Sequence, residues 1–204
     1  MTDPVDGPEL DGLELLGQAH DHLRAAVRGV PAEGWGVPTP CSRWTARQVL
    51  NHARLDQLAY AAAVTGTGHP TSDPFAPVDE LDGDPLAGLE QVFDAVLGAL
   101  ATLPAGAESA PTPIGPLAPW LGAGAAALDA AVHGWDIAVA TGQHLPLPEP
   151  LAEGLLVVSG HLVEGLRAYG VFAPALPAGP GDSAGDALLR LLGRDPRWSA
   201  TPAR

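Results

Sequence analysis

Apolar residues recur at steps of three and four along most of this 204-residue chain, and no segment alternates apolar with polar residues as a half-buried strand does. Leu13, Leu16, His20, Leu23 and Val27 fall on one stripe, so residues 9–29 read as an amphipathic helix that Gly29 and Pro31 end. Thr45 is a ready N-cap for a second helix over 46–64, which stops at the Thr-Gly-Thr-Gly cluster of residues 65–68. Leu86, Leu89, Phe93, Val96, Leu97, Leu100 and Leu103 mark a third. The pattern predicts a fourth from Pro119 or Trp120 to Ala140, a fifth from Leu151 to Tyr169 and a short sixth from Ala184 to Leu192. The Pro- and Asp-rich stretch from His69 to about Pro85 has no periodicity and reads as an ordered surface loop; Pro111 to Pro119 is a lid or a plain connector. The expected fold is all-α: an up-and-down bundle of the first four helices with additional C-terminal helices packed against it, residues 1–204 forming a single domain.

Charge narrows the function. Ten basic residues, all arginine, stand against 24 acidic ones, and a formal charge of −14 with no dense basic patch excludes nucleic acid and anionic membrane as partners. No run of eighteen apolar residues offers a membrane span, and the acidic start Met-Thr-Asp-Pro-Val-Asp-Gly-Pro-Glu lacks the apolar core of a secretory signal, so the expected location is cytoplasmic. One cysteine, Cys41, allows no internal disulfide and fits a reducing compartment. Arginine without lysine, with abundant Ala, Gly and Pro, points to a coding sequence rich in G and C, as in high-GC bacteria. Expected partners are a small-molecule substrate and, as an allowed assembly, a second copy in a homodimer.

Asp129 and His133 lie four residues apart on the predicted fourth helix, which places both on one face a turn apart. Further steps reach Gly122, Ala125, Ala126, Val132, Asp136 and Ala140, a small and mostly apolar face. On the second helix His52 shares a face with Val49, Ala53, Asp56, Tyr60 and Ala63. Two imidazoles and a carboxylate match the three-ligand scheme of an open divalent-metal site, with zinc the expected ion; the competing reading is a satisfied core histidine and solvated acids. Asp56 and Tyr60 are the candidate acid/base groups beside it.

Trp35, the run Pro38-Thr39-Pro40-Cys41-Ser42-Arg43-Trp44-Thr45-Ala46-Arg47-Gln48-Val49-Leu50-Asn51-His52, and His133-Gly134-Trp135-Asp136-Ile137-Ala138-Val139-Ala140-Thr141-Gly142 resemble the actinobacterial metal-binding proteins related to the N-terminal domain of mycothiol-dependent maleylpyruvate isomerase. The resemblance extends to Leu191-Leu192-Gly193-Arg194-Asp195-Pro196. It implies membership of the DinB-like superfamily, four-helix bundles with a metal held between helices by three histidines or by two histidines and a carboxylate. Carried over by position, His52 and His133 are ligands, and Asp129 stands where the isomerase has glutamate, one methylene longer. The isomerase's separate C-terminal domain has no counterpart in residues 145–204, so activity on maleylpyruvate itself is not implied.

Several residues carry a plainer expectation. Asp136 is a fourth ligand or the acceptor that orients an imidazole. Cys41, flanked by proline and with no cationic cluster beyond Arg43, reads as a buried loop anchor. His20, on the apolar stripe, is a core histidine, whereas His22 lies off it and is expected in solvent. His161 and Glu164 form an ordinary helix pair, and Trp44, Trp120 and Trp135 are packing residues, Trp44 fixing the start of the second helix.

The leading functional expectation is a metal-dependent enzyme that uses a low-molecular-weight thiol, mycothiol by resemblance, in transfer or isomerisation on a small electrophile. The alternatives are metal-assisted hydrolysis with the same ligands, and a non-catalytic bundle that binds a small ligand.

Overall fold

A computed structural model describes residues 11–200. It contains α1 (Gly12–Arg28), a 3-10 turn (Gly34–Gly36), α2 (Ala46–Thr65), α3 (Pro85–Leu100), α4 (Pro119–Ala140), α5 (Glu149–Ala168) and α6 (Ala184–Leu191). Among the described residues there is no strand beyond two isolated bridges, Pro38 with Thr45 and Ala110 with Leu117. The expected all-α class is therefore found. The two residues assigned to the start of the first helix, 9 and 10, lie outside the described ones.

Local chemistry sets the helix limits. Asp11 caps α1 by accepting from the backbone N–H of Leu13 and Glu14, and Asp84 does the same for α3 ahead of Pro85. Thr45 and Gln48 form a reciprocal capping box at the start of α2, and Gly66, at φ 72°, closes that helix in the left-handed conformation. The loop after α2 is tied to the helix it leaves: Gln48 Nε2 donates to Pro77 O, and Asn51 Nδ2 donates to Val78 O and Glu80 O.

Helices α1 to α4 form the bundle; α5 packs on α4 and α1, and α6 packs on α5. One buried apolar cluster runs through all six helices. α4 is buried on nearly every side because its surface is alanine and glycine, which lets neighbours approach closely. At Gly134 a Cβ would lie 2.8 Å from His22 Cδ2 and 3.0 Å from the Leu23 Cα, so the α1–α4 contact requires glycine there. This close approach also corrects the expectation for His22. Its ring is not in solvent but 4% exposed, wedged at the α1–α4 seam with Nε2 unpartnered among the described residues. His20 is buried as expected: Nε2 bonds to Gln57 Oε1 at 3.0 Å, and the ring stacks on Phe93 at 3.7 Å between centroids. Burial holds both imidazoles down to a pKa of about 4. No described helix is long and apolar enough to cross a membrane.

Candidate metal centre

Three elements meet beside the middle of α4. The loop before α2 doubles back through the Pro38–Thr45 bridge, where buried Thr39 donates its hydroxyl to Trp44 O at 2.9 Å and to Cys41 O at 3.2 Å. That turn sets Cys41 and Trp44 against the site. α2 contributes His52, Asp56 and Tyr60 from one face, and α4 contributes Asp129, His133 and Asp136.

His52 Nε2 lies 3.1 Å from Asp129 Oδ1, and His133 Nε2 lies 3.3 Å from the same oxygen. One ligand atom from each residue falls within 4.8 Å of the other two. Each histidine is fixed from behind. His52 Nδ1 donates to the Pro74 carbonyl oxygen at 2.8 Å; a carbonyl only accepts, so Nδ1 carries the proton. His133 Nδ1 donates to Asp136 Oδ2 at 2.9 Å. Asp136 is 0% exposed and takes two further bonds from Arg194, Nε to Oδ1 at 2.9 Å and Nη2 to Oδ2 at 2.8 Å. In both neutral rings, therefore, Nε2 has no proton of its own. Two bare nitrogens and a carboxylate oxygen face each other across about a hydrogen-bond length, while Asp129 Oδ2 is buried with no partner among the described residues. Lone pairs converge this way only around positive charge, either a proton on the rings or a metal ion.

The titration behaviour expresses the same demand. Burial opposes charge on His133, but the Asp129 carboxylate, with hydrogen bonds to Asp129, Asp136 and Cys41, outweighs it and lifts the imidazole well above its ordinary value. Burial pushes Asp129 up, and the positive charges of His133 and His52 pull it below the carboxylate range. Asp136 is also held low, the Arg194 guanidinium and the His133 bond overcoming its burial. Asp56 goes the other way: burial first and the Asp129 charge second raise it well above an ordinary carboxyl. Tyr60 is raised by burial and by the charges of Asp56 and Asp129. Both line the cavity beside the cluster, as their place on the α2 face implies.

Cys41 departs from its reading as a loop anchor without a cationic neighbour. Its half-buried thiol lines the cavity, donates to Asp136 Oδ2 at 3.3 Å and accepts from Arg194 Nη2 at 3.2 Å. The cation comes from the far end of the chain, in the turn after α6. Asp136 takes the orienting place that was one of its two expected roles. Trp44 does more than pack at the start of α2, its ring lying 4.7 Å from that of His52. Trp135 is a core residue, and Trp120 sits edge-on to His161 at 5.4 Å. Glu164 pairs with Arg167 at 3.1 Å rather than with His161. Of the 111–119 stretch, residues 111–118 are a loop closed by the Ala110–Leu117 pair, with Ile114 at the cavity, and Pro119 already begins α4.

Residues 16–138 match the family described as the mycothiol maleylpyruvate isomerase N-terminal domain. Relatives over a longer span are uncharacterized proteins of Mycobacterium tuberculosis, from strains CDC 1551 / Oshkosh and ATCC 25618 / H37Rv. Each is 29% identical over 191 residues, 92% of this chain and 100% of the relative. No solved structure matches the chain. With more than half of its residues inside that match, the chain belongs to the mycothiol maleylpyruvate isomerase N-terminal domain family, a DinB-like family.

Proposed function

We propose that the protein is a divalent-metal enzyme that brings a low-molecular-weight thiol, mycothiol by family, to a small electrophile for transfer or isomerisation. The observation that carries this reading is the convergence of His52 Nε2 and His133 Nε2 on Asp129 Oδ1, with both Nδ1 atoms already spent on acceptors and Asp129 Oδ2 without a partner among the described residues. These are the atoms that would hold the metal, and the nitrogen–oxygen donor set suits zinc. When bound, the metal supplies a Lewis acid that keeps a thiol sulfur as thiolate at neutral pH.

The remaining work falls to the chain itself. The Pro74 carbonyl and the Asp136–Arg194 pair lock each imidazole in the tautomer that presents Nε2. Asp56, whose carboxyl keeps its proton to higher pH than usual, is placed to move a proton at the substrate, and Tyr60 can donate to a substrate oxygen. Trp44 and Phe75 flank His52 and keep bulk water from its ring.

Elemental analysis of protein purified without a histidine tag tests the metal, and zinc calorimetry on variants tests the ligands. About one metal per chain is expected, with His52→Ala and His133→Ala each weakening zinc by ~100-fold or more while the bundle stays helical. Asp129→Glu, which restores the missing methylene, should hold or tighten zinc. Identical weak binding by all four proteins would refute the ligand set. Metal binding without thiol-dependent turnover would leave hydrolysis or simple ligand binding in its place.

A further inference from the structure

We propose that the cavity beside the metal cluster takes a small molecule with an uncharged, apolar body and one hydrogen-bond-accepting oxygen at its inner end. The inference deepens the function proposed above, resting on it only for which end of the ligand reacts.

The cavity holds about 400 Å3, the size of a small-ligand site. Its inner end is polar and its walls are not. Leu162 and Leu166 of α5 and Phe172 just beyond it form one wall. Around the mouth stand Phe75, Ile114 and Val171, which are 58%, 43% and 42% exposed and come from three different loops. Large apolar side chains left in water on three separate loops, all facing one opening, form a collar that a ligand's apolar body would cover.

The inner end sets the head group. Tyr60 is 6% exposed, its hydroxyl has no partner among the described residues, and it lines the cavity. A phenol is protonated at neutral pH, so it offers a donor to a carbonyl-type oxygen. Charge argues against a polyanionic ligand. The Asp129 carboxylate faces the cavity, Arg194 is committed to Asp136, and Arg43 stands exposed at the rim. The α5 wall, Val171 and Phe172 fall beyond residues 16–138, whereas Tyr60, Phe75 and Ile114 fall within them, so the lining is shared between the matched family region and the segment that follows it.

Calorimetric titration of the full chain after chelation, with straight-chain methyl ketones from 2-pentanone to 2-nonanone, tests the assignment. Each added methylene should tighten binding about fourfold until the cavity is filled. Tyr60→Phe should weaken every ketone by about fivefold without changing that slope. Leu166→Gln should flatten the slope. Val171→Asp, a change at an exposed site, should weaken 2-nonanone by roughly threefold or more even if the other variant is unstable. A slope below twofold per methylene, or tighter binding of the fumarate dianion than of 2-nonanone, would overturn the proposal. So would sedimentation showing a dimer that Val171→Asp dissociates, since the collar would then be covered by a second copy. Zinc titration of the same protein separates the two readings. Ketone binding without zinc binding removes the metal function alone; zinc binding without a chain-length slope removes this inference alone.

Discussion

His22→Met should make the protein markedly less sensitive to acid. In the native state the imidazole sits 4% exposed at the α1–α4 seam with Nε2 unpartnered among the described residues, and burial holds its pKa at about 4 rather than 6.5. The unfolded chain therefore takes up a proton that the native state refuses. A base with a depressed native pKa imposes no penalty above its unfolded value, and stability is lost as pH falls from 6.5 toward 4. For a gap between 6.5 and about 4, the loss from pH 7 to pH 5 is about 2 kcal/mol, rising to about 3 kcal/mol once pH is below 4. Methionine fills a similar volume, adapts to the tight contact with Gly134 and does not titrate. All other titrating groups are common to both proteins and cancel. Urea denaturation followed by circular dichroism at pH 7 and pH 5 should show the variant gaining about 2 kcal/mol on wild type between the two, or about 4–8 °C in Tm for a chain of this size. A stability difference that is the same at both pH values would refute the reasoning, because it would mean that the native imidazole protonates as freely as the unfolded one.

Gly134→Ala should destabilise by about 1–2 kcal/mol despite the better helix propensity of alanine, because the methyl meets the Leu23 backbone at 3.0 Å; zinc affinity should fall with it, as His133 is the preceding residue. Arg194→Met should cost about 3–5 kcal/mol in chemical denaturation by leaving Asp136 buried without its cation, and Arg194→Lys should recover less than half, having no two-pronged donor. Zinc added at about one hundred times its Kd should raise stability by about 2.7 kcal/mol, seen as a rise in Tm that EDTA removes and His133→Ala abolishes.

Helix positions were legible because punctuation and periodicity agree. Thr45 with its glutamine three residues on, Asp84 before Pro85 and Gly66 after α2 are local signals, and each observed helix begins and ends within about three residues of its expected limits. The meeting of His52, Asp129 and His133 was legible too, since face-sharing is local once the helices are known to pack. His22 was misread because a stripe on one helix does not reveal how flat its neighbour is; the alanine and glycine surface of α4 buries residues that periodicity assigns to solvent. The supports of the site were hidden for another reason. The Pro74 carbonyl is backbone in an aperiodic loop, and Arg194 lies 58 residues from Asp136 and 153 from Cys41. Its Gly-Arg-Asp-Pro run was noticeable, but nothing in sequence says which carboxylate it will meet.

The distance between Asp136 and Arg194 gives the centre a timetable. At a synthesis rate of about 5–20 residues per second, the 58 residues separating them occupy the ribosome for roughly 3–12 s after α4 is made. During that interval α1 to α4 can gather, yet the carboxylate that orients His133 has no guanidinium to neutralise it in a dry core. Orientation of His133 through Asp136 is thus complete only once Arg194 has been made and has packed against α4.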